Sequence, residues 1–256
     1  KISLAVQKMY EENPYPQYKH ADYTHPQFAR PTAEFISLET TIANPSFNQE
    51  LLAPNSRPKI LIAGCGTGNQ VINASRYKNA QITAIDISKN SLSYAARKSQ
   101  DYKMQNVQLQ QLDILDARIL PSNYDIIECS GVLHHMQDPT RGLAALNSKL
   151  QPGGYIKIGL YSKLARQNVT AARELIKSLG IQSTPEGIRD FRRRIFNDGH
   201  HELKNLSILV NDFYSLSECR DLCFHIQEHQ FTTESLQKLL EDENLEFCGF
   251  MVPEAI

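Results

Sequence analysis

The hydrophobic pattern of this chain changes period several times, and each change predicts an element. Ile60-Leu61-Ile62-Ala63 is an unbroken aliphatic run. Such a run predicts a strand buried on both faces, as in a parallel sheet. It stops at Gly64, Gly66 and Gly68, which alternate with Cys65 and Thr67. Glycine permits a sharp turn and a closer backbone approach to a ligand than any Cβ allows. Asn69 to Tyr77 then predicts a helix with Val71, Ile72 and Ala74 on its packing face. Further strands are expected at Gln81–Ile85, Val107–Leu112, Tyr124–Cys129 and Tyr155–Leu160. Ser88 suits an N-cap for a helix to about Ser99, and a helix of about ten residues follows Asp138-Pro139. Gln151-Pro152-Gly153-Gly154 ends that helix with breakers.

The alternation of strands and helices gives an α/β fold: a Rossmann-like, doubly wound, mostly parallel sheet. An N-terminal arm precedes it, and a helical insertion follows the fifth strand. We expect four parts: an arm or lid over 1–58, a core over 59–163, a helical insertion over 164–231, and a final helix and strand over 232–256. In the arm, Val6–Glu12 reads as a short helix. Pro14, Pro16 and Pro26 then stand among Tyr10, Tyr15, Tyr18, Tyr23 and Phe28. That composition predicts an ordered segment, either an aromatic belt or a lid. Phe35–Asn44 continues as helix. Ala165–Leu179 and Pro185–Phe196 are the helices of the insertion, the second carrying Arg189, Arg192, Arg193 and Arg194. Those arginines read either as a solvated face or as an anion site. Thr232–Leu240 predicts a last helix, and Leu245–Val252 a sixth strand.

The chemistry concentrates after the first strand. The spacing is G-x-G-x-G rather than the G-x-G-x-x-G of dinucleotide enzymes. Asp86 closes the second strand about 20 residues on, where a carboxylate meets a ribose diol. Asp113-Ile114 follows the third strand. Ser130-Gly131-Val132-Leu133-His134-His135-Met136 follows the fourth.

Together, Gly64-Cys65-Gly66-Thr67-Gly68, Asp86, Asp113, the Val132–Met136 stretch and Leu150–Gly154 resemble the class I S-adenosylmethionine (SAM) dependent methyltransferases. The segment Glu12-Asn13-Pro14-Tyr15-Pro16 resembles a subgroup often joined to tetratricopeptide repeats. No repeat is visible here, so such a domain would lie upstream. The resemblance implies SAM as cofactor and S-adenosylhomocysteine as product. It implies that Gly64, Cys65, Gly66 and Gly68 line the methionine part, Asp86 and Ile87 the ribose and adenine, and Asp113 and Ile114 the adenine. Cys129 and Ser130 would stand near the methionyl amine and His134 near the methyl. Ile62 departs from the family, many of whose members carry an acid there for the ammonium. Glu128, the Cys129 carbonyl or an N-terminal Glu are the substitutes in view. His134, His135 and Tyr15 are the catalytic candidates, and Tyr15, Tyr18, Tyr161, His225 and His229 the substrate-facing ones. Asp86→Ala is expected to weaken SAM binding while barely changing melting.

The acceptor expected is a small molecule or a protein or peptide side chain. The net charge of −1 gives no field to gather nucleic acid or an anionic membrane. His225-Ile226-Gln227-Glu228-His229 spells H-x-x-E-H, with His200, His201, Cys219 and Cys223 nearby. We read 225–231 as extended, which would not bring both imidazoles to one ion, and expect no metal. Five cysteines suit reduced thiols and a cytoplasmic setting. The start at Lys1 points to a fragment with upstream material. Two other readings remain: a catalytically silent SAM-fold interaction module and an NAD(P)-dependent oxidoreductase.

Overall fold

The computed structural model describes residues 2–41, 46–197, 203, 206 and 213–251. Five strands form one sheet: β1 (Lys59–Ala63), β2 (Gln81–Asp86), β3 (Val107–Gln111), β4 (Tyr124–Ser130) and β5 (Leu150–Gly159). Their order is β3-β2-β1-β4-β5, and every pairing is parallel. The chain winds outward from β1 to β3, then returns to lay β4 on the other side of β1. The crevice at the carboxyl ends of β1 and β4 is therefore a topological switch point, where ligands of such sheets bind.

β1 shows why the aliphatic run is needed. Ile60 and Ile62 enter one core with Val71, Ala84 and Ile126. Leu61 and Ala63 enter the other with Ile85, Ile127, Leu133 and Leu143. These four residues of β1 are fully buried. At ~1.5–3 kcal/mol for each large side chain withdrawn from water, the two faces hold the sheet between its helices.

The helices around the core are α4 (Asn69–Asn73), α5 (Lys89–Asp101) and α6 (Pro139–Asn147). α5 is capped by Ser88, whose side chain accepts from Ser91 N, and α6 by Asp138. The arm supplies α1 (Ile2–Glu12), α2 (Thr32–Glu39) and α3 (Gln49–Leu52). The insertion supplies α7 (Gln167–Ser178), α8 (Pro185–Asn197) and α9 (Leu216–Phe224), which share a third core around Val169, Phe191, Phe213 and Cys219. α10 (Thr233–Asp242) carries a capping box between Thr232 and Ser235.

Several boundaries differ from the sequence reading. α1 begins at Ile2. α2 begins at Thr32 and ends at Glu39, and residues 42–44 lie outside the described ones. β5 opens at Leu150, five residues early, because the Pro-Gly-Gly segment is absorbed as an irregularity: Tyr124 pairs with Leu150 but Ile126 with Tyr155. Residues 245–251 form no strand; the backbone bond there runs from Thr41 N to Cys248 O. Val252 lies outside the described residues. Of the apolar side chains of 245–251 only Leu245 packs on the core, while Phe247, Phe250 and Met251 stay exposed, so alternation alone misled.

Candidate functional site

A cleft of about 300 Å³ opens at the switch point. Its floor is the turn after β1. Gly64 (φ +71°) has no room for a side chain, since a Cβ would lie 2.3 Å from Val132 Cγ2. A Cβ on Gly66 (φ +51°) would lie 2.7 Å from the Tyr15 carbonyl oxygen. The turn is pinned by Gly64 N and Cys65 N donating to Ile85 O at 2.8 and 3.0 Å.

Asp86 is 8% exposed. Its Oδ2 accepts from Gly66 N and its Oδ1 from Ser88 N, both at 2.8 Å. Burial raises its pKa, and those backbone bonds oppose the rise. The carboxylate thus anchors the Gly-rich turn as well as facing the cleft. The expectation that its loss would barely change melting is therefore withdrawn. Ile87, Asp113 and Ile114 continue this wall. Asp113 also caps its own loop, accepting from Leu115 N at 2.9 Å.

The opposite wall holds Ser130, Gly131, Val132, His135 and Met136. His135 Nδ1 lies 2.7 Å from the Gln227 carbonyl, which can only accept. Nδ1 therefore carries the hydrogen in this assignment, and Nε2 keeps a lone pair. Burial lowers the pKa of His135 to about 4.

Other candidates lie elsewhere. His134 is fully buried and does not line the cleft. It stacks on Tyr161 at 3.8 Å between ring centroids. The 3-10 turn at Leu133–His135 sends the two neighbouring rings to different surroundings. Burial takes His134 down to about 3. Cys129 is fully buried behind the wall, its thiol pushed up to about 12 by burial. Gly68 lies outside the cleft lining; a Cβ there would lie 2.7 Å from Ala95 Cβ. Tyr18 donates to Thr67 O at 3.0 Å and also lies outside. Tyr15 and Tyr161 do line the cleft. Arg166 covers Tyr161 at 3.7 Å and pairs with the buried Glu228 at 2.6 Å.

The H-x-x-E-H run separates as its extended reading implies. His225 is buried and stacks on His135 at 3.5 Å, while His229 Nε2 meets Met136 O at 3.0 Å. Neither lines the cleft. His200 and His201 lie outside the described residues. A different trio does converge: ligand-type atoms of His135, Asp221 and His225 lie within 4.8 Å of one another. The two rings are nearly parallel, 20° apart, so their in-plane lone pairs run side by side rather than toward one point. Gln227 N also donates to His225 Nδ1 at 3.2 Å, and Tyr10 donates to Asp221 Oδ1 at 2.8 Å. His225 Nδ1 and Asp221 Oδ1 are thereby already hydrogen-bonded.

Sequence reasoning missed Ile2, Val6, Tyr10, Asn69, Gln70 and Asp221, all in the lining. The spacing of Ile2, Val6 and Tyr10 by four puts them on one helical stripe, a signal that was available. Asp221 had none, because α9 reaches the cleft only through tertiary packing. Of the named substitutes for the acid at Ile62, Glu128 is held by Arg76 at 2.8 Å and by Tyr77 at 3.0 Å, away from the cleft. Glu11 and Glu12 are engaged by the α5 N-terminus and by Arg220.

A larger groove of about 1020 Å³ runs along the outer edge of β5, and none of Gly64, Gly66 or Asp86 lines it. Among the described residues no helix is long and apolar enough to cross a membrane.

Residues 55–184 match the family model described as a methyltransferase domain. The chain is 38% identical over 209 residues to an uncharacterised protein of Synechococcus sp., covering 76% of this chain and 48% of that one. It is 27% identical over 183 residues to the mitochondrial ubiquinone biosynthesis O-methyltransferase of Schizosaccharomyces pombe, covering 70% and 63%. PKMT2 from Rickettsia typhi, solved in complex with AdoHcy, superposes with a TM-score of 0.64 at 20% identity over 90% of this chain and 46% of that one. The chain thus spans about half to two thirds of the length of these relatives.

Proposed function

This chain belongs to the methyltransferase domain family, and from that premise we propose that it transfers a methyl group from SAM to an acceptor on a small molecule or a protein or peptide side chain. One observation carries the reading: the glycine turn and the Asp86 carboxylate meet at the floor of an open cleft at the switch point. The residues present fit SAM. Gly64 and Gly66 leave a cradle that side chains would fill, which suits the methionine part beside Cys65. Asp86 and Asp113, with Ile87 and Ile114, give two carboxylates and two apolar faces for a nucleoside.

Bound SAM supplies a methyl group already activated on sulfur. The chain then has to align the acceptor and, where the acceptor carries a proton, to take it up. His135 is the residue we assign to that second task, its tautomer set by the Gln227 carbonyl. Tyr15 and Tyr161 wall the acceptor side. His134 supports Tyr161 from behind. We further assign residues 1–58 the role of roof and 164–231 that of substrate cover, around the 59–163 core completed by 232–256. The proline-tyrosine arm, a link to upstream repeats and a cytoplasmic setting belong to the same reading.

Calorimetry with SAM and S-adenosylhomocysteine tests it. Binding of both in the micromolar range is expected, and binding of neither by folded protein ends the reading. Binding without turnover of any acceptor would return the silent module.

A further inference from the structure

Gln70 is the second residue of α4 and lines the cleft. Its Nε2 donates to the Ser130 carbonyl at 3.1 Å. A carbonyl oxygen only accepts, so the amide cannot be turned the other way round. Its Oε1 is then fixed on the other side, sealed from water and without a partner. An acceptor left in that state destabilises the fold unless something donates to it.

The place of this orphan in the sheet decides what the donor is. Asp86 closes β2 and Asp113 follows β3, both on one side of β1. Ser130 closes β4, on the other side, and Gln70 reaches across to it. Between the two aspartates and Ser130 lie the glycine turn and the open cleft, room that a nucleoside's 5′ substituent would fill. In SAM that substituent ends in an α-ammonium group. At the usual position for its partner this chain has Ile62, which is fully buried in the core below.

We propose that Gln70 Oε1, together with the Ser130 carbonyl, receives the α-ammonium of SAM and replaces the absent acid. The assignment rests on the SAM reading. It makes Gln70 a cofactor-selecting residue: it recognises the amino-acid end and leaves the nucleoside end to Asp86 and Asp113.

The test measures binding of S-adenosylhomocysteine and of 5′-methylthioadenosine, which lacks the amino-acid portion. The wild type, Gln70→Leu and Gln70→Glu are compared. Gln70→Leu should weaken S-adenosylhomocysteine by about ten- to hundredfold, the range for a hydrogen bond to a charged group. It should leave methylthioadenosine unchanged. Gln70→Glu should hold S-adenosylhomocysteine as tightly as the wild type or more so, because a carboxylate attracts an ammonium. Unaltered S-adenosylhomocysteine binding by Gln70→Leu overturns the proposal while leaving the SAM reading intact. So does equal weakening of both ligands, or a loss in Gln70→Glu as large as in Gln70→Leu. If Gln70→Leu does not fold, Gln70→Glu decides alone: retained binding supports the assignment, and a tenfold loss overturns it. Wild-type protein that binds neither nucleoside overturns the SAM reading itself.

Discussion

His135 shows how much one backbone contact can determine. The Gln227 carbonyl holds a hydrogen on Nδ1 and so turns Nε2 into the acceptor. Burial lowers the ring's pKa to about 4, so the imidazole is neutral throughout the physiological range. Two consequences follow for kinetics. His135→Gln should lower kcat by about 10²–10⁴, the scale for a general base, with little change in S-adenosylhomocysteine affinity. The wild-type kcat/KM profile should show no inflection near pH 6.5, where an ordinary imidazole titrates. An inflection there that disappears in His135→Gln would refute the neutral-ring assignment.

At the scale of elements, α1 stands out because its Ile2, Val6 and Tyr10 line the cleft. The Glu11 carboxylate accepts from Lys89 N at 2.7 Å and Asn90 N at 3.0 Å, the open N–H groups of α5. Gln7 donates to Ile87 O, Tyr10 to Asp221, and Arg220 to Glu12. The helix is thereby strapped between α5 and α9. Glu11→Ala should cost about 1 kcal/mol, as for a lost cap, and raise amide exchange over residues 2–12 more than in the sheet. Uniform exchange across both would show that α1 is held by its apolar stripe alone. Elements of the central sheet were legible in the sequence because strands buried on both faces leave unbroken aliphatic runs. Val71, Ile72 and Ala74 were legible for the matching reason in a helix, and all three are buried. What the sequence hid was tertiary. Asp221 becomes a cleft residue only when α9 docks. His134 looks like a cleft residue until the 3-10 turn carries it behind the wall. The apolar beat of 245–251 resembles a strand, but a ladder needs a partner edge, which side-chain periodicity does not reveal.

For the molecule as a whole, three buried histidines join the sheet core to the insertion: His134 meets His135 edge-on at 4.2 Å, and His135 stacks on His225. Burial holds His134 at about 3, His135 at about 4 and His225 at about 2. All three are lowered, so the unfolded chain binds protons first as pH falls. Stability is then full above about pH 6.5 and declines below it, by up to about 2 kcal/mol per ring at pH 5. Asp86, whose pKa is raised, contributes with the opposite sign. The urea midpoint should therefore drop between pH 7.5 and pH 5, and His225→Gln should shrink the drop. Equal midpoints at the two pH values would show that these rings accept protons without opening the fold.

The return of β4 to the side of β1 also bears on how the polypeptide is made. Ile60 meets Ile126, so the middle strand acquires its second neighbour only after residue 130 has been synthesised. Until then a nascent chain leaving the ribosome carries β1 with one edge of N–H and C=O groups unpaired, the kind of edge on which growing chains aggregate. Slower synthesis across residues 64–130 lengthens the time for which that edge stays open.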